Sequence, residues 1–184
     1  QSNLGRAGEL VQSFKLVAAD QPSEERRSFD LYDYLRDVLV SLQPKFRKTG
    51  HRITVSCGES VPVYSYPGSF SQIITNFAMN SLLHAYPGRN DGRMTISVKV
   101  EDEALVLVYE DDGCGIEPEN IEKIFIPFYT TKRQQGGTGL GLHVVYNIVT
   151  QKLAGSIDAA SRPGEGVRFT IRIPMSQLRL PEIL

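Results

Sequence analysis

The residues best suited to chemistry lie on one face of a predicted helix. Residues 69–86 have helical periodicity, and their apolar face predicts burial. Four polar side chains fall four residues apart and therefore share the opposite face: Gln72, Asn76, Asn80 and His84. A buried amide without a hydrogen-bond partner costs about 2 kcal/mol or more, so each Asn must bond either loop backbone or a ligand. Two Asn in register, with glycine-rich segments downstream, favour a ligand.

A second candidate is the glycine loop, which we define as residues 136–142 with the sequence GGTGLGL. Four glycines within six residues lead directly into an amphipathic helix, so free backbone N–H groups and a positive helix end face an anion. Thr138 is placed to offer its hydroxyl to a phosphate. The loop matches neither of the two commonest phosphate motifs, G-x-x-x-x-G-K-[ST] and G-x-G-x-x-G after a strand. A flexible loop that only caps a helix is the alternative.

A third candidate is Asp111, which begins the sequence DDGCG at the end of a predicted central strand. Its carboxylate could accept hydrogen bonds from a flat ligand, such as the exocyclic amine of adenine, while the glycines allow close backbone approach. A simple Asp–Gly turn is the alternative. Residues 124–132, with the sequence IFIPFYTTK, place aromatic side chains around a Pro. Such residues are ordinarily core, but the glycines that follow favour a movable segment, here called the lid.

Composition sets limits on the function. The chain has 184 residues, of which 41% are hydrophobic and 22% charged, as in one or two soluble domains. A formal net charge of -1 gives no support to nucleic-acid or anionic-membrane binding as the main role. No apolar run approaches the roughly 20 residues that span a bilayer, and no signal-peptide pattern is present. Cys57 and Cys114 are far apart and lack metal-ligand spacing, so we expect free thiols in a reducing compartment and no zinc.

The periodic segments predict an α+β fold with one mixed, mostly antiparallel sheet covered on one face by helices. Helices are expected over residues 4–18, from Asp30 as N-cap up to a bend or end at Pro44, and over residues 69–86, 118–125 and 139–153. Strands are expected over residues 51–57, 61–64, 94–100, 104–109, 156–160 and 167–173, with a hairpin turn at 101–103. Residues 21–27 predict a linker, and a simple helix cap is the alternative.

Four motifs in this order resemble those of sensor histidine kinases. Asn76-x-x-x-Asn80 resembles the N box, DDGCG the first glycine box, FIPFYTTK the F box and GGTGLGL the second glycine box. The resemblance covers residues 29–174 and implies a catalytic and ATP-binding domain, a two-layer α/β sandwich of the Bergerat type. Residues 4–20 resemble the truncated end of a dimerisation and phosphotransfer helix. Residues 1–3 look like a protease-cleavage scar, 21–28 would be a linker and 175–184 a C-terminal tail, so we expect a fragment of a longer protein.

The resemblance also implies ATP and Mg²⁺ as ligands and assigns residues to them. Asn80 would hold Mg²⁺ and Asn76 would support the same phosphate–metal site, whereas Asp111 would accept from the adenine amine. The full set of implied contacts is Asn76, Asn80, His84, Asp111, Gly113, Gly115, Ile116, Phe125, Phe128, Lys132, Gly137, Thr138, Gly139, Leu140, Gly141 and Leu142.

Within this set, the resemblance gives each group a task. Gly113 and Gly115 would make room for the adenine ring, and the glycine loop would wrap the phosphates. Phe125, Phe128 and Lys132 would belong to the lid. His84 would lie near adenine or the phosphates.

Three departures from the family pattern matter. Val167 stands in G-x-G-V where the family usually carries Thr or Ser, so a hydrogen bond worth about 1 kcal/mol near adenine is expected to be missing. Gln72 replaces an acid or His found in many members, so we assign it no proton transfer. None of His51, His84 and His143 lies in the H-[ED]-x-x-[TNP] setting of a phosphoacceptor.

The implied function is therefore that of a catalytic fragment. In the full-length protein, the γ-phosphoryl group of ATP would pass to a histidine on a helix absent from this chain, and then to an aspartate of a response-regulator receiver domain. The fragment should bind ATP without autophosphorylating. It would be the cytoplasmic part of a homodimer, with membrane attachment of the full-length protein left open.

Two alternatives remain at this point. One is another ATPase of the superfamily, such as a gyrase-like or MutL-like ATPase or an anti-sigma serine kinase; the lid and the sequence GTGLGL favour histidine kinases. The other is a non-catalytic interaction module with a decayed site, for which Val167 is the sole support.

Overall fold

The computed structural model describes residues 25–57, 59–133 and 137–180, without the side chain of residue 57. The predicted helix 4–18 lies outside the described residues. The strands are β1 (Arg27–Asp30), β2 (Arg52–Cys57), β3 (Pro62–Ser65), β4 (Arg93–Glu101), β5 (Ala104–Asp111), β6 (Ser156–Ser161) and β7 (Val167–Pro174). The helices are α1 (Leu31–Phe46), α2 (Pro67–Asn80), α3 (Pro118–Ile121) and α4 (Gly141–Asn147). π-helical turns extend α2 over Ser81–Ala85 and α4 over Ile148–Lys152, and a 3-10 turn spans Met175–Gln177.

Five strands form one sheet in the order β2-β4-β5-β7-β6. β2 runs parallel to β4, and the other neighbours are antiparallel. The prediction of a mixed, mostly antiparallel sheet is therefore confirmed, as is the central place of β5. β1 and β3 form a separate antiparallel pair beside it.

The core lies between this sheet and the helices. α2 contributes Phe70 and Phe77, both fully buried, and the ring of Phe77 stacks on Phe169 of β7 at 4.5 Å. Tyr109 of β5 lies 5.0 Å from the same ring. Each such aromatic contributes about 1.5–3 kcal/mol by burial, so the apolar face of α2 is fixed against the sheet. The polar face of α2 consequently points away from the sheet.

The opposite face of the sheet is polar. Exposed or half-buried polar side chains occupy every second position along β4 from Arg93 to Lys99 and along β7 from Arg168 to Arg172. Arg168 of β7 pairs with Glu110 of β5 at 2.6 Å. This alternation is typical of a sheet with one solvated face, which confirms helices on one side only. Among the described residues, no helix is long and apolar enough to cross a membrane.

Several local predictions can be compared directly with the structure. Asp30 caps α1, since its Oδ1 accepts from the Asp33 N–H at 2.9 Å. α1 continues through Pro44 and ends two residues later at Phe46, so Pro44 does not itself terminate the helix. The helix expected over 139–153 begins at Gly141. β1 was not predicted, and it begins at Arg27, within the segment expected to be a linker.

Candidate functional site

The two asparagines meet the first residue of α4. A Cβ placed on Gly141 would lie 3.1 Å from Oδ1 of Asn76 and 3.5 Å from both Oδ1 and Nδ2 of Asn80. Nδ2 of Asn76 donates to the carbonyl of Gln72 at 2.9 Å. The amide hydrogens of Asn76 are thus directed toward its own helix, and its oxygen faces the start of α4. Residues 60 or more positions apart in sequence converge here because Gly141 carries no side chain.

Asn80 carries an unsatisfied polar atom. Its Nδ2 is buried and has no hydrogen-bond partner among the described residues. Amide oxygen and nitrogen are assigned from their partners, so this position can equally present an oxygen. A buried amide in this state is unfavourable unless a ligand or a water molecule supplies the partner. An amide oxygen is a suitable ligand for Mg²⁺, which also takes phosphate oxygens and waters, so the residues present fit this ion.

The π-helical turn after Asn80 places His84 near the lid. His84 is half-buried, and this burial lowers its pKa below 6.5; the nearby positive charge of Lys132 lowers the pKa further. The imidazole is therefore mostly neutral at pH 7. π-helical turns are frequent at functional sites. The predicted residues His84 and Lys132 are thus brought together, although they are far apart in sequence.

Asp111 lies at the end of β5 and is only 8% exposed. Its Oδ2 accepts from the hydroxyl of Ser81 at 2.6 Å, and its Oδ1 accepts from the Gly113 N–H at 3.0 Å. Ser81 in turn accepts from the hydroxyl of Tyr109 at 2.9 Å. Burial raises the pKa of Asp111, and the hydrogen bonds from Ser81, Gly113 and the Val167 N–H partly oppose this rise.

Ser81 and Tyr109 were not predicted as site residues. Ser81 directly follows Asn80, and Tyr109 precedes Asp111 by two positions, so it lies on the same face of β5. That spacing was a usable signal for Tyr109. No sequence pattern indicated that the Ser81 hydroxyl would cross from the helix to the strand.

Gly113 and Gly115 are required by the protein's own packing. A Cβ on Gly113 would lie 2.4 Å from Cβ of Ala85, and one on Gly115 would lie 2.0 Å from the carbonyl oxygen of Arg162. Both glycines therefore make room for backbone and helix, which is a reason for glycine that does not involve an adenine ring. The following residue, Ile116, is held by its N–H bond to Oγ of Ser161 at 2.8 Å.

The lid and the glycine loop are joined by backbone contacts. The Phe128 N–H donates to the carbonyl of Gly139 at 2.9 Å, and the Gly137 N–H donates to the carbonyl of Lys132 at 3.1 Å. Gly139 has a φ of +68°, and a Cβ there would lie 2.5 Å from the carbonyl carbon of Phe128. These contacts tie the lid to residues 137 and 139 of the glycine loop. The first residue of the loop, 136, lies outside the described residues.

The side chains of this region differ in exposure. Phe125 is half-buried against Tyr146 and Phe169, at ring distances of 5.7 and 6.4 Å, and so anchors the lid in the core. Phe128 is 44% exposed. Thr138 is exposed, and its Oγ1 accepts a long bond from the Leu140 N–H at 3.4 Å. Leu142 and Ile116 pack partly against the core.

These groups can bind complementary parts of one ligand. Asp111 offers an acceptor from the end of a strand, and the two asparagines offer amides at the start of α4. Residues of the predicted set that the structure brings into direct proximity are Asn76, Asn80 and Gly141; Asp111 and Gly113; Phe128 and Gly139; and Lys132 and Gly137. His84 lies close enough to Lys132 for its charge to lower the His84 pKa.

Comparison with known families decides what this arrangement is. A family model described as "Histidine kinase-, DNA gyrase B-, and HSP90-like ATPase" matches residues 66–177, more than half of the chain. The chain belongs to this family. An ATPase domain of this kind implies ATP binding.

The relatives of this ATPase domain are sensor kinases. Sensor protein TorS of Escherichia coli (strain K12) is 27% identical over 89% of this chain and 17% of its own length. Sensor kinase CckA of Brucella abortus (strain 2308) is 32% identical over 95% of this chain and 20% of its own length. The chain therefore spans about a fifth of the length of these curated relatives.

A solved structure agrees with this assignment. The catalytic domain of histidine kinase ThkA is 29% identical, with a TM-score of 0.71, covering 82% of this chain and 96% of that one. The chain is thus a histidine kinase-type ATPase catalytic domain, homologous to sensor histidine kinases, and this assignment is favoured over the gyrase-like, anti-sigma and non-catalytic alternatives.

Proposed function

We propose that this domain binds ATP with Mg²⁺ and transfers the γ-phosphoryl group to a histidine in another domain of a two-component sensor kinase. The observation that carries the proposal is the convergence of Asn76 and Asn80 on Gly141. Two amides directed at the start of a helix that follows a glycine loop suit a phosphate–metal site. The phosphoryl group would pass next to an aspartate of a response-regulator receiver domain.

The chain's own residues would act by binding and positioning. Asp111 accepts from the exocyclic amine of adenine and fixes one end of the nucleotide. The N–H groups of Thr138, Gly139 and Gly141, together with the ammonium of Lys132, would bind the phosphates at the other end, while Gly137 ties the loop to the lid through its N–H bond to the Lys132 carbonyl. Mg²⁺, when bound by Asn80, offsets the negative charge of the phosphate oxygens. Holding the γ-phosphoryl group in line with an incoming imidazole supplies the remaining catalysis.

The chain's three histidines are unsuited to receive the phosphoryl group. Nδ1 of His51 accepts from the Gly92 N–H at 2.9 Å, and its ring stacks on Tyr86. His143 bonds the carbonyl of Phe125 through Nδ1 and Asn147 through Nε2. His84 is half-buried, with the positive charge of Lys132 nearby. These contacts support an acceptor in the dimerisation and phosphotransfer domain, which we also propose as the site of homodimerisation.

Structural similarity supports the proposed partner. A crystal structure of histidine kinase ThkA in complex with response regulator protein TrrA resembles this fold over 95% of this chain, with a TM-score of 0.71 and 24% identity. We propose that the full-length protein likewise acts on a response regulator. Because ATP is a cytoplasmic substrate, the domain would face the cytoplasm. We propose that residues 29–174 form the catalytic domain, preceded by a helix at 4–20 and a linker at 21–28 and followed by a tail at 175–184.

Nucleotide titration tests the proposal. Binding of ATP to the full chain is measured by calorimetry with Mg²⁺ and with a chelator, for Asn80→Ala and Asp111→Asn. Each variant should weaken ATP binding at least tenfold, because each removes a hydrogen bond or ligand to a charged or buried group. Only Asn80→Ala should also reduce the Mg²⁺ dependence.

Two exposed residues provide matched controls. Asp158→Asn on β6 and Asn90→Ala in the turn before β4 make the same chemical changes away from the site and should bind ATP as the native chain does. Equal affinity in all five proteins would exclude the proposed site.

A further inference from the structure

A chain of three buried polar groups ends at Asp111. The Tyr109 hydroxyl donates to Ser81, and the Ser81 hydroxyl donates to Oδ2 of Asp111. Tyr109 is fully buried and Ser81 is 3% exposed, so water is excluded from both hydroxyls. The three residues come from two elements, the turn after α2 and strand β5.

The direction of this chain is determined by the carboxylate. An ionised carboxylate only accepts, so the single hydroxyl hydrogen of Ser81 points to Asp111 and its lone pairs face Tyr109. The other oxygen, Oδ1, meets the N–H of Gly113, which only donates. Donors therefore occupy both sides of the carboxylate.

Protonation of Asp111 would disrupt this order. A proton on Oδ1 would weaken the hydrogen bond that this oxygen accepts from the Gly113 N–H. A proton on Oδ2 would donate to Ser81, and the Ser81 hydroxyl would then donate to Tyr109, so both hydrogen bonds would change direction. The Tyr109 hydroxyl hydrogen would then be buried without an acceptor. An unsatisfied buried hydroxyl is unfavourable. Burial by itself raises the pKa of Asp111, and the hydrogen bonds from Ser81 and Gly113 oppose this rise.

We propose that Ser81 and Tyr109 are specificity-determining positioning residues that hold Asp111 as an acceptor only, so that the site takes 6-amino purine nucleotides and rejects 6-oxo purine nucleotides. The proposal rests on the proposed ATP site. A 6-amino group donates to the carboxylate, whereas a 6-oxo group is itself an acceptor and leaves Asp111 unpaired. A protonated Asp111 would donate a hydrogen bond to the 6-oxo group, so the bonds from Ser81 and Tyr109, which keep Asp111 ionised, maintain the discrimination.

The test compares ATP with inosine triphosphate, which differs at the 6-position. Dissociation constants for both are measured on the full chain with Ser81→Ala, Ser81→Thr and Tyr109→Phe. The selectivity ratio is the dissociation constant for inosine triphosphate divided by that for ATP. This ratio should fall about tenfold in Ser81→Ala and by less in Tyr109→Phe, and Ser81→Thr should retain the native ratio. Ser156→Ala, an exposed serine on β6, is the control.

The pH dependence of the ratio separates positioning from structural damage. Titration of the shared triphosphate cancels in the ratio between pH 6 and pH 8. Among the described residues, the titratable groups facing Asp111 are Tyr86, Tyr109 and Asp112. Both tyrosines have raised pKa values, and Asp112 has a lowered one. These three groups do not change charge in that range, so a ratio that falls with falling pH in Ser81→Ala reports Asp111. The native ratio should stay constant.

The outcomes are distinguishable. Equal loss of both nucleotides in Ser81→Ala, with the native ratio and a flat pH profile, would overturn the proposal and show a structural role. If Ser81→Ala does not fold, Tyr109→Phe decides: a reduced ratio supports the proposal, and an unchanged ratio overturns it. Failure of the native chain to bind ATP would instead overturn the proposed function itself.

Discussion

Replacing Gly141 with Ala should separate ligand binding from stability. The added methyl group would lie 3.1 Å from Oδ1 of Asn76 and 3.5 Å from the amide atoms of Asn80, in the space on which both amides converge. The backbone of Gly141 is helical, and Ala is favoured over Gly in a helix by up to about 1 kcal/mol. This gain offsets the close contact, so the free energy of unfolding should change by less than about 1 kcal/mol.

The effect on nucleotide affinity should be much larger. A phosphate oxygen or metal that contacts both amides would overlap the new methyl group. Loss of one hydrogen bond to a charged group costs about 1.5–3 kcal/mol, which raises the dissociation constant for ATP roughly 10- to 100-fold. Calorimetric titration with ATP and Mg²⁺ measures this change, and urea unfolding followed by circular dichroism measures stability.

Gly88→Ala is a control for which the opposite pair of effects is expected. Gly88 has a φ of +73°, and no heavy atom of the described residues lies within 4 Å of an added Cβ. Ala should therefore lose about 1 kcal/mol or more of stability through backbone strain and leave ATP affinity unchanged. If Gly141→Ala instead loses stability and keeps its affinity, Gly141 serves only the packing of α4 on α2, and the reasoning is refuted.

Other variants test the surroundings of the site. The pKa of His84 in the folded protein is below 6.5, so the unfolded chain binds more protons just below pH 6.5. The free energy of unfolding should therefore rise with pH up to that value, and His84→Gln should flatten this rise. An identical slope in the variant would contradict the argument that burial lowers the pKa. Phe125→Ala should lower the free energy of unfolding in urea by about 2–4 kcal/mol, because the Phe125 ring packs on Tyr146 and Phe169. Phe128→Ala, on the exposed part of the lid, should lower it by about 0.5 kcal/mol or less. Equal losses in the two variants would disprove the anchoring role of Phe125. Val167→Thr should strengthen ATP binding several-fold by adding a hydroxyl beside Asp111, its partner in the β5–β7 register, and an unchanged affinity would show that the departure at Val167 is neutral.

Periodicity in the sequence was enough to predict most of the fold. β4 and β7 alternate between apolar and polar residues, and β5 is apolar on both faces, so a half-solvated sheet with β5 at its centre could be predicted. β1 could not be predicted, because its four residues carry no alternation and its pairing with β3 depends on contacts more than 30 residues away. The π-helical turns were also missed, since the apolar spacing hardly differs from that of an α-helix.

The site was predictable in its residues more than in its contacts. Asn76 and Asn80 could be identified from their register on α2, but the meeting with Gly141 is set by how α4 packs on α2. A serine within a helix ordinarily bonds a carbonyl of the preceding turn, so the bond from Ser81 to Asp111 had no local signal. The glycines of DDGCG were attributed to ligand access, whereas Ala85 and Arg162 already require them.

Phosphoryl transfer to a separate histidine domain tests the central claim most directly. The full chain, the separately expressed dimerisation and phosphotransfer domain of the same protein, and γ-labelled ATP with Mg²⁺ are mixed, and the label is located by acid and base stability and by mass spectrometry. The account predicts acid-labile label on a histidine of the added domain, none on this chain alone, and loss of transfer with Asn80→Ala. Label on serine or threonine, or transfer that is unchanged by Asn80→Ala, would contradict it.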